Sequence, residues 1–122
     1  MAFKTLTFAF AALFAIASCA SHRPSEESKE EFLFKNFILA NCLATAFEGS
    51  TTAADAHRAA NGYMELGNMP FEAYEKSSSL VETWLRKSYE SKSGGQIETM
   101  KCIDLYRSPE LKALYIKHTR QE

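Results

Sequence analysis

Three cysteines and three histidines are the side chains of this 122-residue chain best suited to nucleophilic, redox or metal chemistry. Their spacing argues against most of it. There is no Cys-x₂-Cys or His-x₃-His pair, and the sulfurs are too few and too far apart for structural zinc. His22 stands near the N-terminus and His118 near the C-terminus, so only His57 occupies the middle of the chain. Paired with Cys42, it would make a thiol hydrolase in which imidazole draws the proton from sulfur. No Gly-x-Ser-x-Gly elbow occurs, and no glycine-rich phosphate loop follows a strand. Carboxylates are numerous but fall on faces that read as solvated, so no acid pair for general acid–base work is indicated. This inventory favours a binding module over an enzyme and implies neither metal nor cofactor.

What the cysteines do depends on where the chain works. Lys4 supplies a positive start, and Leu6 to Ala17 form an apolar run closed by the small residues Ser18, Cys19 and Ala20. This is the pattern of a secretory signal at residues 1–20. The run is too short to cross a bilayer as a helix, which takes about 20 apolar residues. Two cleavages are open. A cut after Ala20 releases a free protein. A cut before Cys19, within Ile16-Ala17-Ser18-Cys19, makes Cys19 a lipidated N-terminus that tethers the domain to a membrane through the polar segment 21–28. Either route leads to the space outside a bacterial inner membrane, the periplasm.

Loss of residues 1–20 leaves 102, one small domain. Its 13 Lys and Arg (Lys4 gone) stand against 15 Asp and Glu, interspersed along the chain. No basic face accumulates, so nucleic acid is not an expected partner. Export also leaves Cys42 and Cys102 as an even pair in an oxidising compartment, which reads as one disulfide. Such a bridge would close about 60 residues and contribute roughly 4 kcal/mol in the chain-entropy model.

The elements that must position these residues read as helices throughout, because no stretch sustains period-two alternation. The expected fold is all-α, a small bundle of about five helices with one disulfide, over residues 29–120. Ser28 and Glu31 form a capping box for a first helix running to about Glu48, with Gly49 as its stop. Apolar residues on two of its stripes predict a central element covered on more than one side. Thr52 and Asp55 read as the cap of a second, alanine-rich helix ending at Gly67. Pro70 opens a third, with Phe71, Tyr74, Ser78, Val81, Leu85 and Ser88 as its inward stripe. The polar stretch 90–96 then breaks the pattern. A short fourth helix from about Ile97 to Tyr106 carries Cys102, and Ser108-Pro109 caps and starts a last one. A Cys42–Cys102 bridge would therefore anchor one base of the polar loop covalently.

The ordered set Asn41-Cys42-Leu43, Tyr63-Met64-Glu65-Leu66-Gly67, Pro70-Phe71-Glu72-Ala73-Tyr74-Glu75, Lys92-Ser93-Gly94-Gly95 and Met100 to Leu111 resembles the type VI secretion amidase immunity proteins, specifically those that neutralise family-four amidases. The likeness runs from about Phe34 to Leu114. It implies a small helical periplasmic protein that binds a peptidoglycan amidase effector, an enzyme that cuts peptide crosslinks with a Cys-His site. It also implies a homodimer that binds two effectors in a four-chain assembly. A loop between the later helices would enter the enzyme's substrate groove, and by position that loop is Ser91, Lys92, Ser93, Gly94 and Gly95. Two glycines let backbone approach a narrow cleft without side-chain clash. Without the resemblance, the same loop reads as a plain connector. The alternative for the whole chain is a structural envelope lipoprotein with no enzyme target.

Overall fold

The computed structural model describes residues 26–120. The signal at 1–20, with Cys19, and the tether as far as residue 25, with His22, lie outside these. Five helices follow in order: α1 Lys29–Ala46, α2 Thr51–Leu66, α3 Phe71–Leu85, α4 Glu98–Tyr106 and α5 Pro109–Thr119. Among the described residues the sole β feature is one isolated bridge, Glu90 to Gln96.

α1 packs against all four other helices, as its two apolar stripes predict. Its buried residues surround the axis: Leu33, Phe34, Phe37, Ile38, Ala40, Cys42 and Ala44. Small residues bring α2 alongside it, since Ala53, Ala56 and Ala60 are buried together with Ala40 and Ala44. The centre is aromatic. The Tyr74 ring of α3 stands edge-on to Phe34 at 5.6 Å and to Phe37 at 4.8 Å, and Tyr115 of α5 lies 6.2 Å from Phe34. Val81, Leu105 and Leu111 fill the space between α3, α4 and α5 with no exposure above 1%.

The caps explain where helices start, and two of them correct the expected pattern. The Ser28 hydroxyl accepts from the Glu31 N–H at 3.1 Å, as a cap should. Glu31 does not return the bond to complete the box. Its buried carboxylate instead takes the Lys112 ammonium of α5 on both oxygens, at 2.6 and 2.7 Å, tying the first helix to the last. α2 is capped by Ser50, whose hydroxyl accepts from the Ala53 N–H at 3.0 Å, rather than by Thr52. Asp55 pairs with Arg58 on the exposed side. Ser50 is free to cap because Gly49, at φ 83°, turns the chain sharply after α1, which ends at Ala46 rather than Glu48.

α3 is rotated slightly from its expected face. Ala73, Tyr74, Ser77, Val81 and Trp84 are buried, Ser78 and Leu85 are half-buried, Phe71 is 70% exposed and Ser88 lies beyond the helix. Ser77 tolerates full burial because its hydroxyl donates to the Tyr74 carbonyl at 2.7 Å. At the α2–α3 corner Gly67 has no room for a side chain: a Cβ there would stand 2.8 Å from the Tyr74 hydroxyl. Across that corner the Asn68 N–H donates to the Glu30 carboxylate at 2.8 Å.

Candidate functional site

The polar stretch between α3 and α4 folds as a narrow hairpin rather than an open connector. Its stem is closed by the Ile97 N–H donating to the Tyr89 carbonyl at 2.7 Å and the Ser91 N–H donating to the Gly95 carbonyl at 2.9 Å. The Gln96 side-chain oxygen accepts from the Tyr89 N–H at 2.9 Å. Inside the tip the Gly94 N–H donates to the Ser91 carbonyl at 3.0 Å, and the Ser91 and Ser93 hydroxyls lie 2.8 Å apart. Gly94 and Gly95 hold φ of 93° and 83°, in the left-handed range that glycine adopts without penalty. The reversal at the tip therefore requires both.

Lys92, Ser93, Gly94 and Gly95 are exposed and Ser91 is half-buried, so all five residues expected in the loop stand together at one projecting tip. Among the described residues, the Lys92 N–H and C=O, the Ser93 C=O and the Gly95 N–H bond to no protein group. The tip thus presents unused peptide donors and acceptors, framed by the Lys92 ammonium, to whatever approaches it.

Two adjacent residues hold the hairpin's far base. Cys102 bonds to Cys42 of α1 with 5.6 Å between Cα atoms, and both are fully buried. The preceding Lys101 is also buried. Its ammonium donates to the Leu85 carbonyl, at the end of α3, at 3.0 Å and pairs with Glu98 at 3.1 Å. A buried ammonium is costly unless its hydrogens are taken up, and here they join the two helices that carry the hairpin. This second clamp is not legible from residue types alone, since a lysine in a short amphipathic helix reads as surface. Partial desolvation, and then the Asp104 carboxylate of α4 close by, push the Tyr89 phenol above its ordinary ionisation range.

The other candidates for chemistry are not brought together. Cys42 is spent in the disulfide, so no thiol is left for His57, which lies exposed on α2. His57 borders a shallow groove of about 250 Å³ between α2 and α3, with Phe37, Asn41 and Tyr74. His118 is buried in α5, and neither ring nitrogen has a partner among the described residues. No group of three His, Cys, Asp or Glu among those residues could hold a metal ion, and no described helix is long and apolar enough to cross a membrane.

Solved structures share this fold. A chain from the effector–immunity system Tae4/Tai4 of Salmonella typhimurium superposes with a TM-score of 0.69 at 28% identity, over 74% of this chain and 89% of that one. A chain among the type VI-secreted toxins and self-resistance proteins of Serratia marcescens gives 0.61 at 28% identity, over 80% and 87%. A chain of the Tae4–Tai4 effector–immunity complex of Enterobacter cloacae gives 0.65 at 20% identity, over 75% and 95%, and shares the fold. No curated protein matches the chain. Residues 32–115 match the family model Tai4, described as type VI secretion system amidase immunity protein. That match covers α2, α3 and α4 whole and most of α1 and α5, and the chain belongs to the type VI secretion amidase immunity family.

Proposed function

We propose that this chain binds a type VI peptidoglycan amidase effector and inhibits it by placing the hairpin tip, Ser91 to Gly95, in the enzyme's Cys-His active-site groove. One observation carries the reading: the tip is the projecting segment with unused peptide groups, and its base is clamped by a disulfide and a buried lysine. A clamped loop loses little further entropy on docking. Loops held on a rigid frame are where binding residues usually sit. The Tae4–Tai4 complexes named above support the kind of partner. The chain acts by occupancy and needs no cofactor.

The proposed location is the periplasm, where such an effector would meet its substrate. The pattern of residues 1–20 supports export, and Cys19 would add a membrane tether if it becomes the lipidated terminus. In the same reading the protein forms a homodimer that carries two effectors.

Gly94→Arg tests the loop. No atom lies within 4 Å of a Cβ built at Gly94, so the bundle itself is not disturbed. The φ of 93° and the added bulk both act on the tip. Inhibition of the amidase recovered by pull-down with the mature domain is expected to weaken at least tenfold, about 1.4 kcal/mol, with helical circular dichroism retained. Unchanged inhibition removes the loop from the mechanism, and a pull-down that recovers no wall hydrolase removes the function.

A further inference from the structure

Stable interfaces draw on roughly 20–30 residues a side, and the tip supplies five. The hairpin is also short. Five residues doubled back on themselves project about two and a half residue lengths, or about 8 Å. An enzyme that takes this tip into its groove brings the groove's rim within about that distance of the stem. The stem ends at Ile97, and Ile97 leads directly into α4.

α4 buries Lys101, Cys102 and Leu105. At 3.6 residues per turn, Met100, Ile103 and Arg107 fall on the opposite side, with Ile97 on the flank nearest the stem. These positions are open: Ile97 is 36% exposed, Met100 49% and Ile103 47%. Phe32, Leu66 and Phe71 are exposed elsewhere, but here three large apolar side chains fall within seven residues beside the hairpin stem, and it is grouped rather than scattered apolar exposure that marks an interaction site. Methionine and arginine are enriched, and lysine and glutamate depleted, at protein interfaces.

We propose that this outward face of α4, formed by Ile97, Met100 and Ile103 and bordered by Arg107, is the apolar half of the amidase-binding surface. It packs on the rim of the groove that the hairpin tip enters. The proposal rests on the inhibitory reading of the loop and extends it from a plug to a plug with a gasket. The occupant is the amidase rather than a second copy because the face is continuous with the hairpin stem. A second copy seated there would hold the rim away from a tip of such short reach.

Ile103→Asp and Met100→Glu, each in the mature chain, test this. Affinity for the recovered cognate amidase is measured by calorimetry, the mass of the free protein by light scattering, and the fold by thermal melting. Each variant is expected to weaken binding at least tenfold with melting temperature and free mass unchanged. Leu66→Asp, at the α2–α3 corner, is expected to bind as the parent does. Unchanged affinity in both α4 variants, with Gly94→Arg still impaired, overturns the proposal and leaves the loop reading standing. Impaired α4 variants beside an unaffected Gly94→Arg would instead overturn the loop reading and keep the face. A fall in free mass on Ile103→Asp assigns the face to a second copy and overturns the proposal.

Discussion

Removing the disulfide by Cys42→Ala/Cys102→Ala tests how much of the frame rests on one bond. The bridged residues are 60 apart in sequence. In the chain-entropy model, closing a loop of that length restricts the unfolded chain by roughly 4 kcal/mol. Both cysteines are fully buried, so loss of the two sulfurs removes further packing in the same direction. Against a net stability of about 5–15 kcal/mol for a domain, this is a large fraction. One kcal/mol moves the melting temperature of a 60–100-residue domain by roughly 4–8 °C, so the expected fall is about 15–30 °C. The assay is thermal circular dichroism of the double variant beside the parent protein with and without reductant. The reduced parent is expected to melt close to the variant. A fall below about 5 °C, or two titratable thiols in the unreduced parent, refutes the reasoning.

Two smaller perturbations probe the parts that the bond does not cover. Lys101→Met removes the 3.0 Å bond to the Leu85 carbonyl. It should destabilise by about 1–3 kcal/mol and speed hydrogen exchange at the Ser91 and Ile97 amides, and unchanged exchange would show that the clamp is idle. Tyr74 is shielded by burial and then opposed by the Glu30 carboxylate, so its phenol ionises above the ordinary 10.0 in the folded state. The unfolded chain ionises first. Tyr74 therefore supports the fold fully below about pH 10, and that support is lost as pH rises through the raised folded value. Tyr74→Phe is expected to flatten this alkaline limb in denaturant titrations, and superimposable limbs would rule the account out.

The helices were legible because their punctuation is chemical. Ser28, Ser108-Pro109 and the glycines at 49, 94 and 95 each mark a boundary through one specific bond or dihedral. The centrality of α1 followed from its surplus of apolar stripes. Other details were degenerate in sequence. Ser77 and Ser78 both bond the Tyr74 carbonyl, and nothing in their chemistry says which one is buried, so the α3 face was placed a residue off. Thr52-x-x-Asp55 has the form of a cap, but the turn at Gly49 delivers Ser50 first. At the candidate site the tip residues were visible as a polar glycine-bearing break. The Lys101 clamp and the Glu31–Lys112 tie were not, because each joins residues whose pairing depends on how helices pack. The outward face of α4 was hidden for a related reason: apolar residues in a short helix are first assigned to the core.

A Cβ at Gly94 or Gly95 would meet open space on every side, whereas one at Gly67 would strike Tyr74. The chain is thus divided into a frame whose helices constrain one another and a tip that is bound only by its own turn, the two glycines and the Ser91 bonds, and by nothing in the bundle. Mutations in the frame are filtered by foldability before any partner is met. Those at Lys92 and Ser93 escape that filter, so under the proposed function a lineage could follow a drifting toxin by rewriting a few codons while its scaffold stands still.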